Sequence, residues 1–309
     1  MKILQLDKNH PLIAEQLSAK GFLLDDDFTS GYAEVLDKIR GYGGLIIRSR
    51  IPLDRNFLTE AKNLKFIARV GAGMENIDVS AAEEFGITLI NSPEGNRDAV
   101  AEHVLGMLLL LTNRLLISSA EVKDGIWKRE ENRGDELWGK TFGIIGYGNM
   151  GKSVAKRLSG FGVNVVFHDI KPNLGDEYAR QVTLSQLMDE AEIVSLHIPL
   201  TSETRYLIDE AFVSGMKHDF YLINTSRGKN VKTKALVEGL KSGKVKGAAL
   251  DVLEFEKASF EHLEMENDDL NFLLNSDKAI ITPHIAGWTH QSKKKLAQVI
   301  VDKILAQFY

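Results

Sequence analysis

The segment Thr141-Phe-Gly-Ile-Ile-Gly146-Tyr-Gly148-Asn149-Met150-Gly151 sets three glycines in a Gly-x-Gly-x-x-Gly spacing between an apolar run and a helix-like stretch. Gly146 would make the tight turn, Gly148 would let backbone approach a pyrophosphate, and Gly151 would let helix and strand pack closely. Unpaired amides at a helix start attract phosphate without a basic side chain. Asp169 follows 23 positions after Gly146, at the end of the next apolar run. A carboxylate there accepts hydrogen bonds from ribose hydroxyls and repels a 2′-phosphate, which points to NAD; capping of the turn is its other reading.

A hydride-carrying cofactor leaves the protein to orient the substrate, move one proton and stabilise charge on a carbonyl oxygen. Three segments at expected strand ends offer such groups: Asn224-Thr225-Ser226-Arg227-Gly228, Asp251 to Glu256, and Pro283-His284. Arg227 presents a planar fork to a carboxylate and a ketone, His284 shuttles a proton near neutral pH, and a Glu can hold the charged ring in place. Read singly, the same residues are a surface arginine, a hydrogen-bonded histidine and one member of an acidic run. A second glycine pair, Gly71-Ala72-Gly73, also follows an apolar run, but its third position is Asn76 and no acid-ended strand follows. We reject it as a nucleotide site. It reads as an ordinary strand-to-helix turn or as a loop whose amides approach an anion, with Arg48 and Arg69 nearby.

Positioning these groups requires a scaffold of buried strands. Short apolar runs alternate with helix-like stretches at Lys2–Leu6, Gly44–Ile47, Phe66–Val70 and Ile87–Ile90, and again at Thr141–Ile145, Asn164–His168, Ile193–His197, Phe220–Asn224, Gly247–Leu250 and Ala279–Ile281. That alternation predicts two parallel sheets covered by helices, hence two α/β domains. One nearly all-round apolar helix is expected from Asp98 to about Lys123, and an amphipathic helix from Gln291 to Phe308 should pack back on the N-terminal domain. The first domain then comprises residues 1–97 and 286–309, with residues 98–285 inserted.

The chain has 309 residues, 44% hydrophobic and 26% charged, the balance of a folded protein of two domains. A formal charge of −5 lacks the basic excess that nucleic acid demands. No cysteine is present, so disulfides, thiolate nucleophiles and Cys-ligated metals are excluded, and no metal site is expected. The N-terminus reads as a strand and not a signal peptide, and the apolar run Val104 to Leu111 is less than half of a membrane span, so a soluble cytoplasmic protein without membrane partners is expected. The acidic stretch Glu254 to Asp269 reads as solvated surface.

The ordered segments Leu45 to Arg50, Val70 to Asp78, Asn91-Ser-Pro93, the glycine fingerprint, His197-Ile-Pro199, Asn224 to Gly228, Asp251 with Glu256, and Pro283-His284-Ile-Ala-Gly287 resemble the D-isomer-specific 2-hydroxyacid dehydrogenase family over essentially the whole chain. The resemblance implies a doubly wound Rossmann NAD-binding domain inserted in a flavodoxin-like substrate domain. It assigns Arg227, Glu256 and His284 to catalysis: His284 as proton donor in reduction and base in oxidation, Glu256 favouring its charged form, and Arg227 binding the 2-oxo acid. It further implies cofactor contacts from Gly146, Tyr147, Gly148, Asn149, Met150, Gly151, Asp169, His197, Pro199, Thr204, Thr225, Ser226 and Gly287. Asp251 would meet the nicotinamide carboxamide, and the backbone of Ala72 and Gly73 would hold the substrate carboxylate. A homodimer through the long helix and the Gly125-Ile-Trp127 segment is also implied.

The basic segment Arg48-Ser-Arg50 resembles that of the branch using 3-phosphoglycerate; hydroxypyruvate or glyoxylate are the smaller alternatives, and Arg48 capping a strand is the plain one. With the chain ending after its last helix, no C-terminal regulatory domain and no serine feedback are expected. NAD-sensing corepressors share the family's fold and triad, whereas formate dehydrogenases carry Gln where this chain has Glu256. The family's Pro after the catalytic Glu is replaced here by Lys257, and Trp288 places a ring near the pocket.

Overall fold

The computed structural model describes residues 1–256 and 267–309. Lys257 and most of the acidic stretch lie outside the described residues. Two compact units are present: residues 1–97 with 288–309, and residues 98–287.

The first unit holds five strands, β1 (Lys2–Gln5), β2 (Leu23–Asp26), β3 (Gly44–Ile47), β4 (Phe66–Arg69) and β5 (Thr88–Asn91). They pair in parallel in the order β2-β1-β3-β4-β5, the flavodoxin-like order. Strand β2 lies at the sheet edge, mostly outside the core, so its Leu-Leu-Asp-Asp sequence lacks the apolar run that marks the others. The helix His290–Phe308 is capped by Thr289, whose hydroxyl accepts the Ser292 amide at 3.0 Å. Its Leu296, Ala297, Ile300, Val301 and Ile304 are buried with Ile3, Ile46, Phe66 and Ala68 of the sheet. Each large apolar side chain contributes roughly 1.5–3 kcal/mol when removed from water. That burial ties the closing helix to the first unit.

Among its described residues the second unit holds seven parallel strands: β6 (Thr141–Ile145), β7 (Asn164–His168), β8 (Arg180–Gln181), β9 (Ile193–Leu196), β10 (Phe220–Asn224), β11 (Val245–Leu250) and β12 (Ala279–Ile281). Their order is β12-β11-β10-β9-β6-β7-β8, which reverses between β6 and β9. Ligands of doubly wound sheets bind at that reversal, beyond the carboxyl ends of the strands. The two-residue edge strand β8 is too short to leave a period in the sequence.

The expected helix from Asp98 to Lys123 is two helices. Pro93 opens the first, Pro93–Thr112, where a missing amide costs nothing. Arg114 takes a left-handed conformation (φ 52°), and the second helix, Leu115–Lys123, leaves at 60°. From Val100 onward the first helix buries Val104, Met107, Leu108 and Leu111 against Phe142, Ile144 and Tyr221 of the second unit. Among the described residues no single helix is long and apolar enough to cross a membrane.

Candidate active site

The glycine fingerprint lies at the sheet reversal. Gly146 directly follows β6 with φ +93°, and a Cβ there would stand 2.4 Å from the His197 carbonyl oxygen just beyond β9. A Cβ on Gly151 would stand 2.1 Å from the Gly146 carbonyl oxygen. Gly148 is different: a Cβ on it would meet nothing within 4 Å. The helix Asn149–Leu158 starts directly after Gly148 with no side-chain cap on the amides of its first turn. These features form a phosphate cradle. The hydroxyl of Thr225, at the end of β10, is buried without a protein partner, a polar atom placed for a bound group. The residues fit a dinucleotide. By contrast, the helix after Gly71-Ala72-Gly73 begins only at Val79, capped by Asp78, so those glycines cradle no helix start.

Asp169 follows β7, and its carboxylate accepts the Tyr147 amide at 2.7 Å and the Lys171 amide at 2.9 Å. It therefore caps its own turn from the position where a ribose would be met. Tyr147 turns its ring inward, stacked on Phe167 with centroids 3.7 Å apart, and its hydroxyl donates to Asp176. Burial raises its phenol above the ordinary range. Met150 packs on the same core. His197 accepts or donates at Nε2 to Ser195 Oγ at 2.9 Å, and burial pushes its pKa down to about 3, so the ring is neutral at physiological pH. Ser226 donates to the Leu196 carbonyl, which joins the ends of β9 and β10, and Thr204 donates to the Pro199 carbonyl within the loop after β9.

Three adjacent strands, β10, β11 and β12, end in the loops that carry Arg227, Glu256 and His284. Gly228 explains how close these loops come: a Cβ there would stand 1.9 Å from the Leu253 carbonyl oxygen. Arg227 is held by Asn230, whose side chain accepts the Arg227 amide, and its guanidinium donates to the Ser226 carbonyl at 2.6 Å. Glu256 Oε1 accepts the Leu253 amide at 2.5 Å, while Oε2 lies 2.8 Å from His284 Nδ1. His284 itself has φ +55°, a strained conformation for a residue with a Cβ.

Asp251, expected to face the nicotinamide carboxamide, is 1% exposed. Its Oδ1 accepts the Thr282 hydroxyl at 2.5 Å and the Ile285 amide at 2.8 Å; Oδ2 accepts the Ala286 amide at 2.8 Å. These bonds hold residues 282–286 within the second unit, residues 98–287. No local pattern signals this use of Asp251, since its partners are brought to it by the fold and not by spacing along the chain.

In the first unit the sheet order reverses between β1 and β3. There the Arg48 amide donates to Asp7 at 2.6 Å, and the Arg48 guanidinium lies 4.2 Å from the centroid of Trp288. Lys8, His10 and Lys293 line the same cleft. The Ala72 carbonyl accepts from Asn91 at 2.7 Å, which pins the loop holding Gly73. No group of His, Asp and Glu able to hold a metal occurs among the described residues.

The doubly wound sheet, its glycine cradle and the paired Glu256 and His284 define an NAD-linked oxidoreductase. Residues 105–286 match the family model of the D-isomer specific 2-hydroxyacid dehydrogenase NAD binding domain, and the chain belongs to that family. It is 36% identical to the hydroxypyruvate reductase of Thermotoga maritima over 85% of this chain and 84% of that one. It is 35% identical to the D-3-phosphoglycerate dehydrogenase of Methanocaldococcus jannaschii over 88% of this chain, which spans about half (51%) of that protein. The glyoxylate reductase structure from Paecilomyes thermophila superposes with a TM-score of 0.87 at 28% identity, covering 99% of this chain and 94% of that one. The chain is accordingly an NAD-dependent oxidoreductase of the D-2-hydroxyacid dehydrogenase family.

Proposed function

We propose that the protein interconverts a D-2-hydroxy acid and its 2-oxo acid through Arg227, Glu256 and His284, and that the acid is 3-phosphoglycerate. The carrying observation for the reaction is the 2.8 Å contact between Glu256 and His284 Nδ1. A carboxylate on Nδ1 fixes the ring's orientation and tautomer and leaves Nε2 as the nitrogen that exchanges a proton. When bound, NAD carries the hydride to or from C2. In reduction His284 gives its proton to the carbonyl oxygen; in oxidation it takes the proton of the hydroxyl. Arg227 binds the substrate carboxylate and polarises the carbonyl. The first unit supplies substrate contacts from Arg48 and from the backbone of Ala72 and Gly73, and residues 98–287 bind NAD.

The phosphorylated substrate is supported by the cleft of Lys8, His10, Arg48 and Lys293, four basic side chains at a sheet reversal. Hydroxypyruvate or glyoxylate is the second reading, supported by the near full-length match to a hydroxypyruvate reductase. A homodimer in the cytoplasm completes the reading: Leu115, Leu116, Val122 and Trp127 are exposed on the helix and loop the family resemblance assigns to a partner, and the absence of cysteine suits a reducing compartment. The test is NADH oxidation against phosphohydroxypyruvate, hydroxypyruvate, glyoxylate and pyruvate. A kcat/KM highest for phosphohydroxypyruvate supports the first substrate, a preference for an unphosphorylated acid selects the second, and no turnover on any leaves the NAD-sensing binding protein.

A further inference from the structure

We propose that His103 is a positioning residue for the reaction, acting through Thr282 and Asp251 on the backbone that carries His284. The inference rests on the reading of His284 as the proton-transfer group. His103 lies on the helix Pro93–Thr112, 179 residues before Thr282 in sequence, and its Nε2 is 3.1 Å from Thr282 Oγ1 and 3.6 Å from Asp251 Oδ1.

The direction of each bond follows from proton bookkeeping. The Thr282 hydroxyl has a single hydrogen and gives it to the Asp251 carboxylate. Its oxygen can then only accept from His103, so Nε2 of His103 carries hydrogen. The chain runs from imidazole N–H to hydroxyl to carboxylate.

Asp251 passes that order to the His284 loop. Its carboxylate accepts the Ile285 and Ala286 amides, and its carbonyl accepts the His284 amide at 2.9 Å, a donor shared with the Thr282 carbonyl at 3.0 Å. His284 thus sits among residues fixed by one buried side chain, in the left-handed conformation that needs such support. Losing the His103 donor frees the Thr282 hydroxyl to rotate, weakens its grip on Oδ1, and lets the carboxylate turn away from the amides at 285 and 286. Binding of the 2-oxo acid by Arg227 does not depend on that carboxylate, so the loss should fall on kcat.

The test uses the whole chain with NADH and whichever of phosphohydroxypyruvate, hydroxypyruvate, glyoxylate and pyruvate it reduces best. His103→Leu should lower kcat roughly tenfold with KM for the acid within about twofold, while His103→Gln, whose amide can still donate to Thr282, should stay within about threefold of the parent. Thr282→Val should lose as much as His103→Leu, and the double variant no more than the worse single one, because both break one chain. An unchanged kcat in His103→Leu, a His103→Gln as poor as Leu, or losses that multiply overturns the proposal. Should His103→Leu not fold, as judged by circular dichroism, Thr282→Val against Thr282→Ser carries the test: Ser active and Val impaired supports it, and Val fully active overturns it. Failure of the underlying reading has its own signature, His284→Ala as active as the parent.

Discussion

Gly228 and Leu253 approach so closely that a single methyl group on the glycine would lie 1.9 Å from the Leu253 carbonyl oxygen. Through that contact the loop holding Arg227 is packed on the loop holding Glu256, with backbone on both sides and no flexible side chain to give way. Gly228→Ala should therefore push the two loops apart, lowering kcat/KM on the order of 10²-fold, as displacement of catalytic groups by about 1 Å does. NADH titration by fluorescence, expected to change little, separates this from general unfolding.

His284→Ala should lower kcat by about 10²–10⁴-fold, the usual worth of a positioned proton donor. Arg227→Lys keeps the charge but removes the planar fork, and should cost on the order of 10²-fold in kcat/KM. Steady-state kinetics on the best 2-oxo acid checks both; a His284→Ala enzyme within tenfold of the parent would contradict the assignment.

Asp169 accepts the Tyr147 and Lys171 amides, and in the proposed function it also meets the ribose. NADH should be preferred over NADPH, and Asp169→Ser should shrink the preference by at least about tenfold, one such charge-assisted contact being worth about 1.5–3 kcal/mol. Because the capping bonds are lost too, the melting temperature should fall. A variant with an unchanged coenzyme ratio and a lower melting temperature would leave Asp169 as a turn cap only.

His197 titrates near 3 in the folded chain because burial disfavours its charge, against 6.5 for an unhindered ring. Between those values the unfolded chain binds more protons than the folded one, so stability is complete above pH 6.5 and is lost as pH falls. From pH 7 to pH 5 the loss from this residue should be about 1–2 kcal/mol, after allowing for partial exposure. Urea titrations at both pH values should show that loss in the parent and a smaller one in His197→Asn; equal slopes in the two proteins would refute the assignment.

Much of this protein is legible in its residues alone. The repeated apolar runs mark ten of the twelve strands among the described residues, because buried parallel strands must be apolar on both faces. The glycine fingerprint is readable because its three glycines fall within six consecutive residues, where the positive φ of Gly146 and the contact of Gly151 on the Gly146 carbonyl are local demands. Arg227, Glu256 and His284 stand out as strand-end residues, and the family resemblance supplies their roles. The strands β2 and β8 escape because edge strands need not be apolar, and the break at Arg114 escapes because no glycine or proline marks it.

What the tertiary structure alone decides is which distant side chains meet. The His284–Glu256 contact, the closure of Gly228 on Leu253, and the use of Asp251 as the anchor of residues 282–286 all join segments through strand order. His103 is the clearest case: in sequence it is one polar residue on an apolar helix, and its partner is 179 positions away. Local spacing sets periodicity and turn geometry, whereas a hydrogen bond between remote segments exists only once parallel strands have been laid side by side.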